Sequence, residues 1–123
     1  MCTANWNGEN MKVKIRRNSD NVFFMELSGS LDLYNSNQLK ELVVKTIENS
    51  ITCLILSLKD VAFINSTGVG ALIYASSTLR KLNCPLIIVA PEGPVLSVLE
   101  LTNIKTYFTV VPSLKEALAQ TAN

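Results

Sequence analysis

The stretch that decides the fold is CLILSLKDVAFINSTGVGALIYASSTLRKLNCPLIIVA, residues 53–90. Its first six residues, Cys53 to Leu58, are nearly continuously apolar, the pattern of a strand covered on both faces by helices. Val69, Leu72, Ile73 and Leu79 then recur at helical spacing, with Leu82 near the end of the stripe. Pro85 closes that segment before Leu86 to Ala90 supplies another buried strand. Strand, helix and strand in this order predict a parallel pair joined by a right-handed crossover.

Toward the amino terminus, Met11, Val13 and Ile15 alternate with Lys12, Lys14 and Arg16, the period of a strand with one wet face and a charged, edge-like outer side. After the turn residues Asn18 to Asn21, Val22 to Leu27 forms a second strand of an antiparallel hairpin, which Gly29 ends. From Asn35 the period becomes helical, with Leu39, Leu42, Val43 and Ile47 on one face; Asn35 with Gln38 has capping-box spacing, and Ser36 is an alternative cap. Toward the carboxyl terminus, Gly93 and Pro94 open a helix bearing Val95, Leu96, Val98 and Leu99, which Asn103 is placed to end. A short strand, Phe108 to Val111, precedes a last helix with Leu114, Ala117 and Leu118, capped by Ser113 and Glu116. The order β-β-α-β-α-β-α-β-α predicts an α/β fold: a mixed, mostly parallel sheet of four to five strands, an amino-terminal antiparallel hairpin and about four flanking helices.

Length sets the scale. At 123 residues the chain is one domain, and 48% hydrophobic residues supply a core without staples. Residues 1–10 are polar and read as a flexible tail, leaving 11–123 as the domain; Trp6 is expected to have no role. The beginning MCTANWNGEN has neither the basic nor the apolar region of a secretory signal, and no apolar run reaches membrane-spanning length, so a cytoplasmic protein without membrane insertion is expected. Eleven basic against ten acidic residues give +1, no footprint for direct nucleic-acid binding. The absence of histidine removes the usual general base and the commonest metal ligand, so neither a catalytic residue, a metal nor a cofactor is assigned. Cys2, Cys53 and Cys84 are unpaired in spacing and read as inert thiols.

In open α/β sheets, ligands and partners meet the loops at the carboxyl ends of the strands. The loop KDVAFINSTG, residues 59–68, is the most informative, because Ser66, Thr67, Gly68 and Gly70 lie at a helix start whose dipole favours negative charge. Two glycines there let another backbone or a phosphate come close. A P-loop is discarded, since no lysine followed by Ser or Thr comes after Gly70, and a dinucleotide fingerprint would need glycine where Ile73 stands. Two readings of Ser66 remain: a cap worth about 1 kcal/mol, or the acceptor of a covalent phosphate bringing roughly −1.5 to −2 charges.

Leu54 to Leu72, LILSLKDVAFINSTGVGAL, resembles the signature of the anti-sigma factor antagonists, bacterial members of the STAS (sulfate transporter and anti-sigma factor antagonist) domain family. Gly29-Ser30-Leu31-Asp32 is similar to that family's G-x-[LVI]-D loop, and VLSVLELTNIKTYFTVVPSLKEAL to its carboxyl-terminal pattern, so the likeness extends over residues 11–119. The resemblance implies a partner-switching protein. It would bind an anti-sigma factor that is also a serine kinase, release a sigma factor, and be inactivated by phosphorylation of Ser66 and restored by a PP2C-type phosphatase. It implies partner contact through Asp32, Asn65, Ser66, Thr67, Gly68 and Gly70, and leaves room for weak nucleotide binding.

The family usually carries aspartate where this chain has Asn65; asparagine keeps the acceptor oxygen and loses the charge. Thr67 competes with Ser66 as the acceptor, and position in the motif favours Ser66. Asp32 is alternatively a solvated turn residue, and Tyr34 and Tyr74 half-exposed packing residues. Two other roles stand beside the antagonist: a STAS subunit of a lipid-transport ABC complex or stress-sensing scaffold, and a nucleotide hydrolase using Asp32, Asp60 and Ser66. The lack of clustered carboxylates speaks against the hydrolase.

Overall fold

The computed structural model describes residues 3–7 (backbone only), 11–33, 35–48, 50–102 and 107–121. The expectations for Cys2, the Trp6 side chain, Tyr34 and Asn103 fall outside the described residues. In chain order the elements are β1 (Thr3–Asn7), β2 (Met11–Arg17), β3 (Val22–Leu31), α1 (Ser36–Ile47), β4 (Cys53–Ile64), α2 (Ser66–Arg80), β5 (Leu86–Val89), α3 (Pro94–Leu101), β6 (Thr109–Val111) and α4 (Leu114–Thr121). The strands lie in the order β1-β2-β3-β4-β5-β6. β2 pairs antiparallel with β1 on one side and β3 on the other, and β3 through β6 run parallel.

Alternation along the strands divides the core between the two sheet faces. Met25 and Leu27 of β3, Leu54, Leu56 and Leu58 of β4, and Leu86 and Ile88 of β5 pack into the main core with α1, α2 and α3. The opposite residues, Val22, Cys53, Ile55, Ile87, Val89 and Val111, form a smaller cluster under Ala117 of α4. Three helices thus cover one face and one helix covers part of the other, which is why the central strands lack a polar side. Burial pushes the Cys53 thiol up to about 11, with Cys84 adding to the shift, and pushes Cys84 up to about 11 against a hydrogen bond with the Leu54 backbone. Both stay protonated near neutral pH and are weak nucleophiles.

Several boundaries differ from the sequence expectation. Residues 3–7, read as tail, pair with β2 from Thr3↔Arg16 to Asn7↔Lys12, so among the described residues the sheet has six strands and β2 is not its edge. Gly29 does not end β3. Its positive φ of 103° accompanies shifts in the ladder between Glu26 and Ser28 and between Gly29 and Ser30, and the strand continues to Leu31 opposite Ile64. β4 likewise continues beyond Leu58 to Ile64, because its second half finds a partner in β3, and the expected ten-residue loop shrinks to Asn65. Leu82 lies beyond α2 and is exposed, and Leu114 and Leu118 of α4 are partly exposed, with Ala117 alone reaching the core.

Candidate functional site

The site grows from the paired ends of β3 and β4. Leu31 and Ile64 are register partners, and the Asn65 N–H donates to the Leu31 carbonyl at 3.3 Å, so Asp32 and Asn65 leave the sheet side by side. Asn65 is extended (φ −112°, ψ −175°) and is the N-cap of α2; its side-chain oxygen accepts from the Gly68 N–H at 3.0 Å. The cap therefore belongs to Asn65, which corrects the reading of Ser66 as a cap. Both residue types cap well, and helix phase gives the role to the residue one place earlier. Relieved of that role, Ser66 opens the helix as an exposed residue, followed by exposed Thr67. The first turn of α2 itself holds no acidic side chain.

The two glycines separate. A Cβ on Gly68 would lie 2.5 Å from the Leu31 carbonyl oxygen and 2.8 Å from Ile64 Cγ1. Gly68 is thus buried to let α2 sit on the strand ends, which corrects the expectation that it offers open backbone to a partner. Gly70 is exposed and meets nothing within 4 Å of an added Cβ. Of the six expected contact residues, the structure gathers Asp32, Asn65, Ser66 and Thr67 at one rim, with Gly70 along the helix and Gly68 beneath.

Sequence reasoning missed the brace under this rim. The Asn35 side-chain oxygen accepts from the Asp32 N–H at 2.8 Å and its amide donates to the Ser30 carbonyl. The Ser36 N–H, at 3.0 Å, and its hydroxyl both donate to the Asp32 carbonyl. Asn35 stands at the N-cap of α1, yet its side chain makes no cap bond, so the expected capping box with Gln38 is replaced by a clamp on the Asp32 loop. Two adjacent polar residues that are both buried (Ser36 is 1% exposed) were the signal, and burial is not readable from their types. Leu33, which follows Asp32, is an apolar residue at 64% exposure. One turn beyond Gly70, exposed Tyr74 has the Lys40 ammonium 5.2 Å from its ring centre. Among the described residues no three His, Cys, Asp or Glu side chains converge on a point that could hold a metal. No helix among them is long and apolar enough to cross a membrane.

Known proteins share this fold. An anti-sigma factor antagonist from Mycobacterium paratuberculosis superposes with a TM-score of 0.77 at 20% identity, over 92% of this chain and 95% of that one. The Bacillus cell fate determinant SpoIIAA in its phosphorylated form gives 0.67 at 16% identity, over 89% and 98%. A murine solute carrier 26 anion transporter gives 0.73 at 23% identity, over 84% of this chain and 18% of the transporter. At these identities the likeness establishes the fold. The STAS domain profile matches residues 13–117, spanning β2 to α4, and the chain belongs to the STAS domain family.

Proposed function

We propose that this protein is an anti-sigma factor antagonist. On this reading it binds an anti-sigma factor that is also a serine kinase, thereby frees a sigma factor, and is switched off when that kinase phosphorylates Ser66. A PP2C-type phosphatase restores it. The protein is then a substrate and not an enzyme, and it works in the cytoplasm. One observation carries the reading: Asn65 caps α2, so Ser66 stands exposed at the first helical position without a structural duty.

The surroundings fit such a switch. Exposed Leu33, next to Asp32 in the chain, is an apolar side chain available to a partner on that loop. A phosphate would change the net charge from +1 to about −1. Placed under a partner, that dianion needs desolvation; a penalty of a few kcal/mol lowers affinity by roughly a hundredfold or more. The helix dipole meanwhile tolerates the charge, so the antagonist stays folded while losing its partner. Neutral Asn65 keeps the cap and adds no repulsion to the incoming phosphate.

The test is to incubate the protein with ATP and an anti-sigma factor serine kinase from the same organism, and to locate phosphate by mass spectrometry. Modification of Ser66, with Thr67 and Ser36 unmodified, is expected. An unmodified Ser66 under conditions that phosphorylate a control antagonist would contradict the proposal.

A further inference from the structure

The side chain of Asn35 bonds away from the helix it begins. An asparagine at an N-cap ordinarily accepts from an N–H of the first helical turn, and Asn35, at the N-cap of α1, makes no such bond. Its oxygen accepts from the Asp32 N–H at 2.8 Å and its amide donates to the Ser30 carbonyl, while the Ser36 N–H and hydroxyl donate to the Asp32 carbonyl. From the other side, the Leu31 carbonyl accepts from the Asn65 N–H at 3.3 Å. The three carbonyls from Ser30 to Asp32 and the Asp32 N–H are thus all held by residues at the starts of α1 and α2. Asn35 and Ser36 are both buried, and a buried polar side chain is favourable only through the bonds it makes. The backbone that they hold leads directly to Leu33, a large apolar side chain left exposed.

We propose that Asn35 is a positioning residue for partner binding: by clamping the Asp32 peptide from α1, it presents Leu33 to the anti-sigma factor as an anchor ordered in advance. Loops that leave the ends of strands are ordinarily mobile. A partner docking on a mobile loop loses affinity in ordering it, and a loop already fixed in place removes that loss. A role confined to stabilising α1 would be met by capping α1, and the structure directs the same side chain to the loop instead.

The partner in this inference rests on the antagonist reading, so the first arm of the test uses the protein alone. Amide relaxation of the nitrogen-labelled protein is expected to find Leu33 as ordered as the strand residues. In Asn35→Ala, Asp32 and Leu33 are expected to loosen, while the Gly68 amide, held by Asn65, keeps its order. A Leu33 amide that is mobile in the parent, or equally ordered in Asn35→Ala, would overturn the proposal.

The second arm is a double-variant cycle read as affinity for an anti-sigma factor serine kinase from the same organism, at a temperature where every variant is folded. Asn35→Ala and Leu33→Ala are each expected to weaken binding by about tenfold. In the Leu33→Ala background, Asn35→Ala should weaken it further by less than about twofold, because the anchor it positions is gone. Their effects on unfolding should simply add, since exposed Leu33 does little for the fold. Ser36→Ala, which removes one of the two donors to the Asp32 carbonyl, gives a milder loss of the same kind and serves where Asn35→Ala fails to fold. Additive losses of affinity, or parent-like affinity in both Asn35→Ala and Ser36→Ala, would overturn the positioning role. Loss of the kinase in Ser66→Asp in the same experiment separates that failure from failure of the antagonist reading.

Discussion

Two helices of this protein begin with Asn-Ser, on neighbouring strands of one sheet, and the two dipeptides have opposite fates. At α1, Asn35 turns its side chain back onto the Asp32 loop and Ser36 is buried beneath it. At α2, Asn65 turns its side chain forward onto the Gly68 N–H, and Ser66 is left exposed. Residue type is identical at both places, so it cannot distinguish a structural serine from a modifiable one. The direction of the asparagine side chain does, because it decides whether the next residue lies under the loop or on its rim.

The largest expected effect comes from the packing that allows this difference. Gly68→Ala forces a methyl group against the Leu31 carbonyl and Ile64, and should cost about 2–3 kcal/mol in urea unfolding. Gly70→Ala, two residues on, should gain about 0.5–1 kcal/mol from helix propensity. Equal effects at the two positions would show that α2 does not rest on the strand ends as described.

Next come the asparagine and serine of the brace against those of the site. Asn35→Ala strands the Asp32 N–H and the Ser30 carbonyl and should cost about 2 kcal/mol, and Ser36→Ala about 1 kcal/mol. Ser66→Ala should stay within about 0.5 kcal/mol of the parent. Chemical denaturation of the three variants ranks them directly; a Ser66→Ala loss as large as that of Asn35→Ala would erase the distinction between the two helix starts.

The patterns legible in the sequence were those that a segment carries by itself. The apolar run from Cys53, the helical stripe from Val69 and Pro94 after Gly93 each specify their element locally. The paired half of β4 was illegible because two charged residues in a row, Lys59 and Asp60, are followed by four apolar ones, Val61 to Ile64, with no polar alternation; what makes them a strand is the ladder to Ser28–Leu31. Thr3–Asn7 is a strand for the same reason, through its partner β2. At the site, the serine could be found from its motif and the asparagine from its capping chemistry. Which of the two caps depends on helix phase, and the need for glycine at 68 depends on Leu31, thirty-seven residues away in the chain.

Smaller effects sharpen the role of Asn65. Asn65→Ala should cost about 1 kcal/mol by losing the bond to Gly68. Asn65→Asp keeps the acceptor and adds a charge that the helix start favours, for a gain of about 0.3–1 kcal/mol at pH 7. The sign follows from linkage: the folded helix end holds that carboxyl below its unfolded value, so the gain is present above the ordinary carboxylate range and is lost as pH falls through the folded value. Unfolding midpoints of variant and parent at pH 7 and pH 3 check this, and a gain that persists at pH 3 would count against a charge effect.

Ser66, on this reading, is a switch on an otherwise unchanged surface. The most direct measurement is the affinity of the anti-sigma factor kinase for Ser66→Ala and Ser66→Asp, compared by calorimetry. Ser66→Ala is expected to bind as the parent does, and Ser66→Asp to lose the kinase while remaining folded. Equal binding by the two variants would contradict it.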